Sequence, residues 1–370
     1  MRGGPRTGEG RPVRPFGVYV HVPFCAHRCD YCAFATYSDR DHLMDDYVDA
    51  VLEEIEWARR DGLESATSIF FGGGTPSRVT PEALLAILDA IPRTDDAEVT
   101  VECNPEDASV ERLVAYRRGG VNRMSFGVQS TQPAVLADLG RRHGTMAHVE
   151  VARAVHEAGF ETWNMDLIVG SRAETLLDVQ RTLDDLVGLE FAPPHISCYA
   201  LTPEPGTPLG QDSARHPDED ETADAYDLVG RVLESHGYVW EEISNWARPG
   251  HECRHNHVYW EQDDYVGFGS AAHSHRQGRR SWNVRTPERY IAMVREGIVP
   301  FGGEEVLDEH TKRFERDSLS LRTSRGVPVE AFASLDEIAH LVKVRNGRVT
   351  LAANGRLLAN QVIVRLRSAE

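Results

Sequence analysis

The sequence has no long apolar run. Nothing in it approaches the roughly 18 apolar residues of a transmembrane helix, so an integral helical membrane protein is not expected. It also has no signal-peptide core. Met1 to Arg14 carries basic residues, glycines and prolines without an apolar segment, and residues 1–15 read as a disordered tail. Positive charge is scarce: 40 Lys and Arg stand against 58 Asp and Glu, a net charge of −18. Nucleic acid is therefore not an expected partner, because a polyanion needs clustered cations. The acidity reads as solubility. A loose peripheral membrane association and a homodimer stay open. There are no internal repeats. Cysteines number only six, and three of them crowd one loop. That usage suits metal binding in a reducing compartment better than a disulfide framework, so the expected location is the cytoplasm.

Apolar residues make up 41% of 370, enough for a sizeable core, and the length suggests about two or three domains or one barrel plus an extension. From residue 17 short apolar strands alternate with amphipathic helices. Strands are expected at 17–22, 68–71, 98–103, 122–128, 162–169 and 195–201. Helices are expected at 45–60, from Pro81 after an N-cap at Thr80, at 109–118, within 132–158 and at 174–187. Six such alternations with short connections argue for a parallel sheet with helices outside. Six are fewer than the eight of a closed barrel. The expected fold class is α/β, an open, partial parallel β/α barrel over 16–215. A smaller C-terminal α+β domain follows over 216–370, after a stretch rich in proline and acid at 202–224. The segment 351–360 reads as strand, turn and helix, like the end of a winged-helix module.

The three crowded cysteines are Cys25, Cys29 and Cys32, spaced C-x3-C-x2-C directly after a strand. A cubane cluster normally takes four thiolates. Three leave one iron without a protein ligand, and an open site invites a small molecule. The plain alternative is a partial zinc site or three unrelated thiols. Further polar residues fall at the expected C-terminal ends of strands, where barrels gather their chemistry. These are Gly72-Gly73-Gly74-Thr75, Glu102, Gln129, Asp166 and the region of Ala200. Glycines let backbone groups approach a ligand, Glu102 can accept hydrogen bonds, and Arg141 can take a carboxylate bidentately. Taken alone, Glu102 also reads as a salt-bridge partner and Arg141 as a surface charge.

The cysteine spacing resembles the radical SAM superfamily. Tyr19–Phe34, Phe71-Gly-Gly-Gly-Thr-Pro-Ser77, Glu102-Cys-Asn-Pro105, Arg123–Ser130, Asn164–Gly170 and His195–Leu201 narrow it further. Together they resemble the coproporphyrinogen dehydrogenase/heme chaperone family (HemN/HemW). The resemblance implies a [4Fe–4S] cluster on Cys25, Cys29 and Cys32. It also implies S-adenosylmethionine (SAM) bound by Tyr19, Tyr31, Gly73, Gly74, Thr75, Glu102, Gln129, Arg141, Asp166 and Ala200. One departure is Ser171-Arg172-Ala173, where the family has Leu-Pro-Gly, and it puts that loop's conformation in question.

Two functions share this pattern. One is oxygen-independent decarboxylation of coproporphyrinogen III. The other is heme delivery to apo-hemoproteins, for which the resemblance suggests respiratory enzymes. The decarboxylating branch carries a further cysteine two residues after the third cluster cysteine, and Phe34 stands there. The segment His255-Asn-His-Val-Tyr259-Trp260 resembles the heme-binding H-N-x-x-Y-W motif of the chaperone branch. The chaperone is the preferred reading, with heme as a further ligand, and the role of SAM cleavage is left open. His255 is the expected iron ligand, since neutral imidazole ligates heme iron well. Cys253, His257, His273 and His275 are the alternatives, and a buried structural role for His255 is the competing reading. Cys103 and Cys198 read as small buried residues.

Overall fold

The structure, a computed structural model, describes residues 14–367. The expected tail therefore lies outside the described residues up to position 13. Six strands follow the expected order: β1 (Phe16–Val22), β2 (Ala66–Gly73), β3 (Arg93–Cys103), β4 (Arg123–Gln129), β5 (Thr162–Val169) and β6 (His195–Ala200). Helices α1 (Met44–Arg60), α2 (Pro81–Ala90), α3 (Val110–Arg118), α4 (Pro133–Asp138), α5 (Ala147–Glu157) and α6 (Leu176–Val187) connect them. Successive strands pair in parallel. Strand alternation sorts the two faces. In β1, Val18, Val20 and Val22 join the apolar layer that contains Val51 and Ile55 of α1, while Tyr19 and His21 turn inward. Thr80 caps α2 by accepting from the Ala83 amide, and Thr175 with Asp178 forms a capping box on α6.

The helical stretch at 132–158 is broken. The segment between α4 and α5 carries Arg141 and His143 to the interior. Gly140 makes the turn at φ +69, with Asp30 Oδ1 only 2.9 Å from where a Cβ would sit.

After α7 (Pro208–Gln211) and α8 (Glu219–Ser235), the chain adds β7 (Val239–Glu242) and β8 (Asn245–Ala247), of which β8 pairs antiparallel with β6 and β7 antiparallel with β8. Helix α9 (Arg254–Trp260) follows, then β9 (Asp264–Phe268), which pairs in parallel with β1 at the other edge. Strands β10 (His273–Arg276) and β11 (Arg279–Asn283), helix α10 (Pro287–Arg295) and β12 (Phe301–Val306) extend that edge antiparallel. Among the described residues the sheet has twelve strands and stays open. The division expected at 215/216 is therefore no sheet boundary, because later strands flank the six on both sides. Helix α11 (Glu309–Leu321), a three-stranded sheet of β13 (Val327–Pro328), β14 (Val342–Arg345) and β15 (Arg348–Leu351), and α12 (Ala359–Ile363) make a smaller α+β unit. Among the described residues no helix is long and apolar enough to cross a membrane.

Burial displaces many titrations. Glu54, Glu174 and Glu242 are pushed up to about 7, Glu102 to about 8 and Asp263 to about 6, each chiefly by loss of solvent. His21 and His143 are pushed down to about 4, and His195 and His255 to about 3, for the same reason. From pH 8.5 to 6.5 the folded carboxyls take up protons that the unfolded chain does not, so stability rises as pH falls. From 6.5 to 4.5 the unfolded imidazoles bind a similar number of protons, and the slope nearly vanishes. Below 4.5 the unfolded carboxylates also protonate, and stability falls. Calorimetric melting temperatures of the cluster-free protein should thus climb from pH 8.5 to 6.5, level off, and drop below 4.5. A maximum at pH 8 or above would contradict this ledger of buried groups.

Candidate functional site at the C-terminal ends of the strands

A cavity of about 500 Å³ opens at the C-terminal ends of β1–β6. Cys25, Cys29 and Cys32 border it, on the loop that leaves β1. The loop is tied at its root, where the Cys25 amide donates to Tyr37 O at 3.0 Å and the Tyr37 amide to Pro23 O at 2.8 Å. All three thiols are free. Thr75 Oγ1 lies 3.6 Å from Cys25 Sγ, and Arg141 Nη1 lies 3.4 Å from Cys29 Sγ. Burial raises the Cys25 thiol to about 11 and raises Cys32 as well. Among the described residues no three His, Cys, Asp or Glu side chains are grouped to hold one metal ion. The three sulfurs instead share a cavity wall, which suits a cluster whose thiolates each take a different iron.

The glycine turn after β2 forms the next wall. The Gly74 amide donates to Val22 O at 2.7 Å and the Thr75 amide to Phe24 O at 2.8 Å, so this turn is sewn to the root of the cysteine loop. A Cβ at Gly74 would come within 2.7 Å of Phe24 O. Gly73 sits at φ +110, and its missing Cβ would lie 2.5 Å from the His21 ring. The cradle exists because neither position carries a side chain.

Glu102 and Asp166 close the floor. Glu102 Oε2 accepts from the Gly73 amide at 3.3 Å. Its carboxyl is raised by burial and then by neighbouring Asp166, so much of it is neutral at pH 7. Asp166 is also raised by burial, although Ser125 at 3.1 Å and Asn164 at 2.7 Å donate to it. Two buried carboxyls close enough for one to raise the other's titration favour a bound cation. Opposite them, Arg141 donates from Nη2 to Gly127 O at 2.8 Å and to Asn104 Oδ1 at 3.1 Å, while its buried Nε has no partner. Gln129 holds φ +66, the left-handed region, at this wall. Such a conformation in a non-glycine residue is typical of constrained sites.

Nine of the ten expected SAM residues line this one cavity: Tyr31, Gly73, Gly74, Thr75, Glu102, Gln129, Arg141, Asp166 and Ala200. Tyr19 is the exception. Its hydroxyl donates to His21 Nδ1 at 3.0 Å, and its ring stacks on Phe70 with centroids 6.4 Å apart. Phe34 stands at the mouth, 68% exposed. Cys103 and Cys198 are buried, and Cys103 borders the cavity. The Ser171-Arg172-Ala173 departure does not line it. Ser171 Oγ donates to Asp138 Oδ2 at 2.6 Å, and Arg172 pairs with Glu221 at 3.2 Å.

Below the floor the barrel interior is polar. Asn164 bridges Asp166 and Ser197, whose hydroxyl donates to Asn245 Oδ1 at 2.6 Å. His195 Nε2 donates to the same oxygen at 2.7 Å, and its Nδ1 accepts from Arg123 at 2.7 Å. His255 lies beside this column, 1% exposed. Its Nδ1 meets Ser68 Oγ at 3.0 Å, its Nε2 meets Tyr259 Oη at 2.8 Å, and its ring stacks on Phe70 at 5.3 Å. The expectation that His255 presents a nitrogen to iron is not met in this conformation, because both nitrogens are engaged inside the barrel.

A family model described as the radical SAM superfamily matches residues 19–186. The heme chaperone HemW of Mycobacterium tuberculosis is 36% identical, with 95% of each chain covered. That of Bacillus subtilis is 34% identical, over 93% of this chain and 97% of the relative. The chain belongs to the heme chaperone HemW family. A solved structure of the Escherichia coli coproporphyrinogen III oxidase HemN superposes with TM-score 0.83 over 95% of this chain and 89% of that one, at 23% identity. That likeness shows that the HemW-family chain shares its fold.

Sequence reasoning missed His21, Asn104 and Ser125. His21 Nε2 donates to Ala35 O at 3.0 Å and so braces the cysteine loop from inside the barrel. Its position two residues after Tyr19 in an alternating strand was the available signal. Asn104 stood in the quoted Glu-Cys-Asn-Pro run, and only its contact with Arg141 reveals its part.

Proposed function

We propose that the protein is a cytoplasmic heme chaperone that carries a [4Fe–4S] cluster on Cys25, Cys29 and Cys32, binds SAM beside it, and binds heme for delivery to apo-hemoproteins such as respiratory enzymes. The end-to-end 36% identity with a heme chaperone carries this reading. The residues also fit the cofactors. Three free thiols face one cavity, a glycine cradle would be filled by any Cβ, and the buried Arg141 Nε lacks a partner. Arg141 would hold the SAM carboxylate, and Glu102 and Asp166 would take its positive charge. When bound, cluster and SAM supply reductive radical chemistry. The chain's own part is to position them and to keep solvent from the floor. The decarboxylase reading has support in fold alone, and the mouth offers Phe34 where that chemistry has a thiol.

The test is an anaerobic hemin titration of the cluster-loaded protein, read by the Soret band. Saturable binding near one heme per chain is expected. In the same preparation, saturating SAM should change the EPR spectrum of the reduced cluster. Absence of specific heme binding, with turnover of coproporphyrinogen III, would replace the chaperone by the oxidase. An unchanged cluster spectrum would remove the open iron site.

A further inference from the structure

Asp166 is held from below by one side chain. Asn164 and Asp166 stand two residues apart on β5, so both turn into the barrel. Asn164 is 2% exposed, in register with Ser125 of β4 and His195 of β6. Its Nδ2 donates to Asp166 Oδ1 at 2.7 Å and to Ser125 Oγ at 2.8 Å. Both amide hydrogens are then spent. Ser125, already accepting, turns its own hydrogen to Asp166 Oδ2, 3.1 Å away. One amide thus sets a donor on each carboxylate oxygen, the second by way of Ser125.

The amide cannot turn over. A flip would set Oδ1 against the Asp166 carboxylate, which only accepts when ionised. Oδ1 is also claimed from below by the Ser197 hydroxyl at 3.2 Å. The column beneath has one polarity. Arg123 has only donors, so His195 Nδ1 accepts from it at 2.7 Å and the ring hydrogen sits on Nε2, donated to Asn245 Oδ1 at 2.7 Å. Asn245 Nδ2 donates to Glu242, which keeps Asn245 Oδ1 turned toward Ser197 at 2.6 Å. Asn245 lies on β8, so a strand added after the first six orients the floor.

We propose that Asn164 is a positioning residue for SAM, whose amide keeps Asp166 ionised and aimed at the positive charge of the ligand. The inference rests on the reading of this cavity as a SAM site. Asn164 does not line the cavity, whereas Asp166 and Ser125 do, so it acts through them. The other groups facing Asp166 are Glu102 of β3, Arg123 of β4, Ser197 and Tyr199 of β6, and Arg141 across the cavity. Burial raises the Asp166 carboxyl, and the bonds from Ser197, Asn164 and Ser125 and the charge of Arg123 work against that rise. Loss of Asn164 removes one bond directly and leaves the Ser125 hydroxyl free to turn away.

The experiment is calorimetric titration of SAM into cluster-loaded wild type, Asn164→Ala, Asn164→Ser and Asn122→Ala between about pH 5.5 and 9, with cluster absorbance as the report on folding. Glu102, at about 8, and the ligand amine titrate high in this range, so the comparison uses the acid limb, where Asp166 takes its proton. A donor to the ionised form lowers a carboxyl's titration, so its loss moves that limb to higher pH. Asn164→Ala is expected to bind SAM at least tenfold more weakly at pH 7. Its acid limb should begin about one pH unit above that of wild type, the equivalent of one hydrogen bond to a charged group. Asn164→Ser, one bond too short to reach Asp166 Oδ1, should behave alike, and it carries the test if the alanine variant fails to fold. Asn122→Ala is the structural control. It loses bonds to the Val99 amide at 2.8 Å and to Ala97 O at 2.7 Å, beside the start of β4. It should lower the melting temperature and leave both SAM affinity and the acid limb in place. An affinity in Asn164→Ala within threefold of wild type, or a weaker affinity with an unmoved limb, would overturn the assignment. So would an equal displacement of the limb in Asn122→Ala. Failure of the wild type to bind SAM would instead defeat the reading of the cavity itself.

Discussion

Cys25→Ser, Cys29→Ser and Cys32→Ser should each leave the protein without its brown cluster absorption after anaerobic reconstitution. Iron and sulfide should fall from about four of each per chain to well under one, since a cubane already short of one thiolate then keeps only two. The local geometry gives no substitute donor. Thr75 and Arg141 contact the Cys25 and Cys29 sulfurs, and neither is a thiolate. Cys103 borders the cavity, but its Sγ donates to Asn104 O at 3.2 Å and its thiol is pushed up to about 12 by burial. Cys103→Ser should therefore keep the cluster. The measurement is iron and sulfide analysis with absorption and EPR. A full complement in any of the three serine variants would strike that cysteine from the ligand set.

The six parallel strands were legible because each carries its own apolar alternation, and short connections bind each to the next in sequence. The extension of the sheet was not. Strand β9 pairs with β1 across more than two hundred residues, and nothing within Asp-Tyr-Val-Gly-Phe specifies that partner. The cavity-lining residues were legible through motifs, where spacing alone forces Cys25, Cys29 and Cys32 into one loop. Tyr19 shows the limit. Alternation places Tyr19 and His21 on the inner face, but a phenol there can reach upward to a ligand or sideways to an imidazole, and His21 takes it. His255 shows the same limit on a helix. Residues 255 and 257 differ by about 200° around α9, so one enters the barrel and the other meets Glu241 at 2.8 Å. Only the packed helix says which.

Gly73→Ala tests the tightest contact of the upper site, and its effect should be large. An added Cβ would lie 2.5 Å from two atoms of the His21 ring. His21 cannot turn aside freely: it is 5% exposed, Nε2 donates to Ala35 O, and Nδ1 accepts from Tyr19. Alanine also pays a backbone penalty at φ +110. Two escapes exist. The turn can rotate, which breaks the Gly73 amide bond to Glu102 and the Gly74 amide bond to Val22 O. Alternatively His21 can withdraw, which releases Ala35 and loosens the cysteine loop. Either way the cradle and the cluster loop part. Backbone strain of ~1–3 kcal/mol and overpacking of ~1–3 kcal/mol together suggest a loss near ~3 kcal/mol, or about a hundredfold in SAM affinity. Gly297→Ala is the control, since it also has positive φ, at +71, with nothing within 4 Å of the added carbon. It should lower the melting temperature slightly and leave SAM binding alone. Anaerobic calorimetric titration of SAM into both cluster-loaded variants reads the difference. An affinity in Gly73→Ala within threefold of wild type would mean that His21 yields without cost, and that the ring does not hold the two loops together.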